Sequence, residues 1–172
     1  MTSILQHPHR EPRGKTMGML AMTLWLALAA LALFVLTIGC AAAEVAHAPV
    51  VDASRLPPLG TEWRTENPYR GNAEAEAVGR TVFNQSCARC HGADAAGGGS
   101  APDLRRLDGF CRAIGDAKLR HDCMVDNDVF FRDSVLHGKV RVGVVHMPPW
   151  EGLLPQEVLW AVQAFVESQR GK

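Results

Sequence analysis

The stretch Cys87-Ala88-Arg89-Cys90-His91 decides how the rest of the chain is interpreted. Two thiols separated by two residues and followed at once by an imidazole form the attachment signature of a c-type haem. The thiols add across the two vinyl groups of one porphyrin, and the histidine ligates the iron from one face. A zinc site usually needs a second Cys/His pair, and a thioredoxin-like site needs a βαβ setting that the sequence does not indicate. We therefore predict covalent haem held by Cys87, Cys90 and His91.

The N-terminal segment has the features of an export signal, which agrees with haem attachment outside the bacterial cytoplasm. Three basic residues precede an uncharged run, residues 19–38, and three alanines, residues 41–43, follow it. A basic start, an apolar run and a small-residue cleavage site are typical of a signal peptide. The pattern predicts a signal peptide at residues 1–43, with Glu44 as the first mature residue, and a periplasmic protein.

Two alternatives to cleavage remain open. The uncharged run reaches the ~20 residues that span a bilayer, so it could be kept as an anchor. Cys40 follows Thr37-Ile38-Gly39, which resembles a lipoprotein box, although Thr37 stands where such boxes usually carry leucine. We expect membrane association only if the segment is retained or Cys40 is lipidated.

The charge balance argues against a nucleic-acid partner. The chain has 18 basic and 18 acidic residues, and without residues 1–43 it has 15 basic and 17 acidic residues. Nucleic-acid binding calls for a strongly basic surface, which this composition does not provide. No block of like charges marks an acidic partner or a membrane surface either.

The remaining sequence divides into an arm and a compact domain. Residues 44–71 contain four prolines and no periodic apolar face, which predicts an extended arm that Trp63 and Tyr69 pin to the domain. Residues 72–172 form the predicted monohaem domain, because the chain has no second Cys-x-x-Cys-His. About 100 residues is small for an independent core, and a covalent haem would supply much of it.

Hydrophobic periodicity predicts an all-α fold. Residues 73–86 carry an apolar stripe, and Pro155 opens a last helix that also has one. A helix capped by Asp126 or Asn127 and ended by Gly138 lies between them. A short helix at residues 110–119 is a weaker expectation, and residues 92–101 are expected to form a loop.

Two further cysteines, Cys111 and Cys123, are the only remaining pair in an oxidising compartment. They are expected to form a disulfide, with two reduced, buried thiols as the alternative. The nearby acidic residues depart from the spacing of a calcium loop, so helix capping and a solvated face are preferred to a calcium site there. The acidic group comprises Asp122, Asp126, Asn127 and Asp128.

The iron needs a sixth ligand or an open position, and Met147 is the preferred candidate. It lies before Pro148 and Pro149, which fix the backbone and lower the entropy cost of holding a weak thioether ligand. His146 is the competing ligand and would lower the redox potential. The other candidates in the mature chain are Met124, His47, His121 and His137.

These residues together resemble the class I cytochromes c. Gly79, Phe83 and Cys87 stand four apart, as in the first helix of that family, and Phe165 with Val162 matches its last helix. The resemblance implies three to five helices wrapped around one haem. It also implies that the Pro102 carbonyl accepts the N–H of His91 and that Leu104 packs on the haem.

A narrower resemblance is to periplasmic cytochromes that accept electrons from PQQ-dependent (quinoprotein) alcohol dehydrogenases. It rests on residues 67–71, Cys-Ala-Arg-Cys-His-Gly, the Cys111/Cys123 pair, His137-Gly138-Lys139 and residues 143–152. It implies a one-electron carrier, not an enzyme, that passes electrons to another cytochrome or a terminal oxidase. A gas-binding or sensor haem module and a haem subunit of a membrane complex are the alternatives.

The partner would dock around the haem edge. Lys139 and Arg141 flank the Met147 loop and Trp150 follows it, so these three residues are the predicted docking residues. Redox encounters are usually small and steered by charge. Two solvated loop charges without a docking role are the alternative.

Overall fold

The computed structural model describes Met22, residues 24–31 and residues 46–172. The chain divides into two units, Met1–Ala42 and Ala43–Lys172. In the first unit, residues 24–31 are helical. No helix in the described parts of the chain combines the length and the hydrophobicity that crossing a membrane requires. Cys40 and the predicted cleavage site at residues 41–43 lie outside the described residues.

The second unit is built mainly from helices, in agreement with the predicted all-α class. One antiparallel hairpin, which the sequence patterns did not predict, interrupts them just before the last helix. In chain order the elements are α1 Ala73–Ser86, α2 Ala88–His91, a 3₁₀ turn Ala93–Ala95, α3 Gly109–Arg112, α4 Ala117–His137, β1 Lys139–Arg141, β2 Val144–Met147 and α5 Gln156–Ser168.

Helix α1 has the bounds that its apolar stripe predicts. The Asn72 side chain caps it by accepting hydrogen bonds from the Glu74 and Ala75 backbone N–H groups, at 3.0 and 3.1 Å. Val82 and Phe83 on its inner face are buried. The apolar side chains of α5 are almost all buried, so the two helices form the centre of the core.

The crossing of α1 and α5 is close because Gly79 has no side chain. A Cβ built on Gly79 would clash with the Ala161 carbonyl oxygen and lie 2.9 Å from the Phe165 Cβ. The Phe83 and Phe165 rings pack beside the crossing with centroids 5.4 Å apart. The structure therefore has the helix pair that the family resemblance implies.

The predicted start of α4 is wrong. Asp116 caps the helix by accepting a hydrogen bond from the Leu119 N–H at 2.8 Å, so the helix begins ten residues before Asn127. Its first turns are exposed and carry no apolar stripe that a periodicity search would detect. The predicted end is correct, because Gly138 takes a φ of 68° directly after His137.

A disulfide between Cys111 and Cys123 joins α3 to α4, with 5.4 Å between the Cα atoms.

The arm is packed against the helices. Leu56, Leu59 and Tyr69 belong to the core, and the Tyr69 hydroxyl donates to the Pro57 carbonyl. Trp63 is 39% exposed and does not pin the arm. The polar contacts of the arm reach both ends of the core. Two of them are Val50 N–H to Gln85 Oε1 at 3.1 Å and Leu59 N–H to Glu157 Oε1 at 2.8 Å.

A buried charged cluster fastens the end of the arm to α4 and α5. Arg70 contacts Asp128 at 2.5 Å and Glu167 at 2.8 Å, and both carboxylates are almost fully buried. Asp128 also accepts hydrogen bonds from the Asn67 N–H and from the Gln163 side chain. Asp128 is therefore engaged in an ion pair with Arg70. Among the described residues, no group of three or more His, Cys, Asp or Glu side chains is arranged to bind a metal ion.

Candidate haem site

The two thiols and the imidazole lie on one short helix that continues from α1. The Cys87 N–H ends α1 by donating to the Phe83 carbonyl at 2.8 Å. The Cys87 carbonyl then accepts the N–H groups of Cys90 and His91, at 3.1 and 3.0 Å. Residues three and four apart share a helix face, so this turn presents all three side chains to the same side. Both cysteines are free and partly buried.

His91 is oriented by the loop that follows it. Its Nδ1 lies 2.9 Å from the Pro102 carbonyl oxygen. Because a carbonyl oxygen can only accept, Nδ1 carries the proton in this contact and Nε2 keeps a lone pair for a metal. The loop folds back onto the motif through Gly97 N–H to His91 O at 2.7 Å and Ala101 N–H to Cys90 O at 3.0 Å.

The surroundings of the motif fit a large apolar group. Burial, with a smaller contribution from Cys90, raises the pKa of Cys87 to about 12, so its thiol stays protonated. Cys87 is also one of the partly buried apolar residues that pack against the core, as are Ala88, Leu104, Leu107 and Met147. Two thiols, a tautomer-fixed imidazole, a thioether and an apolar wall are the donors and the lining that a covalent haem requires.

Met147 is held by the end of α4. A Cβ on Gly138 would clash with the Met147 carbonyl oxygen and lie 2.9 Å from the Pro148 carbonyl carbon. Just beyond, the Trp150 N–H donates to the Val135 carbonyl at 3.0 Å. The end of α4 therefore fixes the backbone at the Met147 carbonyl and just after it.

The other candidate ligands differ in exposure. His146 is exposed while Met147 is partly buried, and Met124 is buried within α4. His47, His121 and His137 are exposed. Met147 is thus the candidate that combines partial burial with a fixed backbone next to the core.

The predicted docking residues do not all lie on the surface. Lys139 and Arg141 are exposed on β1, and the Lys139 ammonium lies 4.7 Å from the centre of the Phe130 ring. The prediction for Trp150 is wrong, because this side chain is 5% exposed and belongs to the core. The backbone hydrogen bonds that hold the Met147 loop to α4 draw it inward.

The hairpin is the part of the site that sequence reasoning missed. Its strands pair Val140 with Val145 and Arg141 with Val144, and residues 142 and 143 form the turn. The signal was present, since a run of β-branched residues around a glycine is typical of a hairpin. The close approach of the Met147 carbonyl to Gly138 leaves no such signal in the sequence. A glycine is expected at the end of a helix because of its positive φ, and this does not show which other segment packs against it.

Comparisons with known proteins cover most of the second unit. The family model described as cytochrome c oxidase, cbb3-type, subunit III matches residues 74–166. Cytochrome c550 of Pseudomonas aeruginosa is 40% identical over 122 residues, which are 69% of this chain and 74% of that protein. The solved structure of cytochrome CL from the marine methylotrophic bacterium Methylophaga aminisulfidivorans MPT is 17% identical, with a TM-score of 0.43, over 73% of this chain and 81% of that one. The family match contains the whole Cys-x-x-Cys-His helix and Met147.

Proposed function

The chain belongs to the class I cytochrome c family, and from that membership we propose that it is a periplasmic carrier of single electrons with an iron ligated by His91 and Met147. It binds a covalent c-type haem and is an electron-transfer protein, not an enzyme. The observation that carries the proposed ligation is the contact between His91 Nδ1 and the Pro102 carbonyl, which leaves Nε2 available. When bound, the haem iron cycles between Fe(III) and Fe(II), and no substrate bond is made or broken.

The protein residues have distinct tasks in this proposal. Cys87 and Cys90 form the thioethers, and the Pro102 carbonyl orients His91 and raises its basicity. Met147 would supply the thioether ligand of the iron, which would keep oxygen from binding there. The contact of Gly138 with the Met147 carbonyl keeps this weak ligand in place.

We propose a PQQ-dependent alcohol dehydrogenase as the electron donor, and another cytochrome or a terminal oxidase as the acceptor. The support is the subgroup motif at residues 143–152 together with the exposed cations Lys139 and Arg141. These two charges would meet an acidic rim on the donor and raise the rate of encounter. The periplasmic location is supported by the N-terminal pattern and by the Cys111–Cys123 disulfide, which needs an oxidising compartment.

The ligation is tested by removing Met147. We expect M147A to lose the near-infrared sulfur–iron band of the ferric protein and to bind carbon monoxide when reduced. H146A, which changes the exposed neighbour, is expected to keep the band and resist carbon monoxide. A wild-type protein without the band, or one that binds carbon monoxide readily, would instead support a sensor module.

The donor is tested by stopped-flow reduction of the ferric protein with the quinoprotein alcohol dehydrogenase of the same organism and its alcohol. We expect K139E/R141E to slow this reaction, and the deficit to shrink as salt screens the charges. Reduction by ascorbate is the control and should not change. Equal rates for the variant and the wild type at low salt would remove these two residues from docking.

A further inference from the structure

The hairpin exposes apolar side chains on both of its faces. Val140 pairs with Val145, so these two side chains share one face, and Val144 shares the other with Arg141. All three valines are exposed, and Val142 at the turn is fully exposed. One porphyrin can lie against only one face of a hairpin. At least one apolar face therefore remains uncovered when the haem is bound.

The tip is also an unfavourable place for valine. Val142 has a φ of 50° and Gly143 a φ of 76°, which is the two-residue turn that favours asparagine followed by glycine. A β-branched side chain at positive φ is a steric outlier. Val142 is thus unfavourable both for its backbone and for its exposure to water. Backbone strain is often found at functional positions, and contiguous exposed apolar patches often mark interaction sites.

The charges around the tip indicate the kind of partner. Residues 138–150 contain Lys139 and Arg141 and no carboxylate. Arg141 is exposed and has no ion-pair partner within the described residues. Two cations are fewer than the four to eight that mark binding to anionic lipids. An apolar tip with two cations instead fits a protein surface with a small apolar area bordered by carboxylates.

We infer that the hairpin tip, Val142 with Val144 beside it, inserts into an apolar area on the electron-donor protein, where Arg141 meets carboxylates at the edge. This inference rests on the proposed function, since it takes the donor to be a protein. The apolar contact supplies affinity and the cation supplies orientation, within the small interface that a transient redox pair uses.

The test is V142N, which replaces the strained valine with the residue that the turn favours. We expect its unfolding temperature to equal or exceed that of the wild type. We expect the rate constant for reduction by the quinoprotein dehydrogenase to fall about fivefold, the equivalent of burying about half of one valine side chain. The fall in this rate constant should be similar at low and high salt, because the lost contact is apolar. The slower reduction expected for R141E should instead recover as salt screens the charge. The near-infrared band and the rate of reduction by ascorbate should not change.

The matched control is L119N, another exposed aliphatic residue, 58% exposed and in the first turn of α4. Leu119 is 18 residues before the end of that helix, which is about 27 Å from the hairpin end. The L119N protein should therefore be reduced by the dehydrogenase at the wild-type rate.

Each other outcome has one meaning. If the wild type is reduced by the dehydrogenase and V142N reacts equally fast, this inference alone is overturned. If ascorbate reduces the wild type but the dehydrogenase does not, the proposed donor fails and the inference fails with it. If wild type but not V142N sediments with phosphatidylglycerol vesicles while both react equally fast, the tip contacts a membrane and the inference is wrong.

Discussion

Gly79 and Ala161 touch where α1 crosses α5, with no room for a single added carbon. A Cβ on Gly79 would lie 2.5 Å from the Ala161 carbonyl carbon and closer still to its oxygen. The obstacle is backbone inside a buried helix, so it cannot rotate away as a side chain could. The crossing carries the Phe83–Phe165 ring contact at 5.4 Å, and Phe83 accepts the hydrogen bond that ends α1 at Cys87. The helix pair and the haem motif are therefore linked through one turn of chain.

We expect G79A to destabilise the folded protein by about 3 kcal/mol, because overpacking against backbone forces the two helices apart. Chemical denaturation followed by the haem absorbance measures this. G109A is the control, since the nearest atom to a Cβ there is the Arg106 Cβ at 3.9 Å. It should change the free energy of unfolding by less than about 0.5 kcal/mol. Equal losses in the two variants would contradict the role of the crossing.

Arg70 is expected to be the most important ion-pair residue of the cluster. It is the cation that contacts both Asp128 and Glu167, whose side chains are 0% and 4% exposed. R70A would leave two buried carboxylates without this partner, which costs about 3 kcal/mol. The matched control is R80A, whose partner Asp94 is 43% exposed, and a loss of less than about 1 kcal/mol is expected there. Urea denaturation of both variants measures the two losses in the free energy of unfolding. Equal losses would show that burial of the carboxylates does not decide the cost.

Glu167 gives the cluster a pH dependence of defined sign. Burial raises the pKa of Glu167, and the hydrogen bond from Arg70 only partly offsets it. Because the native state then binds this proton more tightly than the unfolded chain, its contribution to stability is present below the ordinary glutamate pKa. That contribution is lost as pH rises through the raised pKa.

E167Q should remove this decline of the unfolding free energy with rising pH, because an amide does not titrate. The amide oxygen can still accept a hydrogen bond from Arg70. The measurement is the free energy of unfolding as the pH is raised from about 4, near the ordinary glutamate pKa, to neutral. E62Q changes an exposed residue of the arm and should keep the wild-type slope. A wild-type slope in E167Q would show that another group is responsible.

The sequence predicts those parts of this molecule that leave a local pattern. The apolar stripe and the Asn72 cap of α1 lie within one stretch of chain, as do the two thiols and His91, so spacing alone reveals them. The start of α4 has only its Asp116 cap as a signal, because its first turns are exposed and lack an apolar face. A search for apolar periodicity therefore starts the helix too late.

Contacts between distant segments leave no such pattern. Arg70 and Asp128 are 58 residues apart, and nothing near either residue indicates that they form a buried pair. The same holds for Trp150, whose position after the Met147 loop suggests a surface residue. Its burial depends on hydrogen bonds to the end of α4, which only the folded chain brings near. Tertiary contacts of this kind decide which loop residues are available to a partner.

The contact of His91 Nδ1 with the Pro102 carbonyl leads to a prediction about the redox potential. P102A keeps the carbonyl but frees the backbone φ that proline fixes, so the hydrogen bond should weaken. A weaker acceptor makes the imidazole a poorer donor to iron, which destabilises Fe(III) and raises the midpoint potential. Potentiometric titration measures the shift, and NMR should show faster exchange of the His91 ring N–H. P58A, at an exposed proline of the arm, should change neither quantity. A lower potential in P102A would contradict the assigned role of this carbonyl.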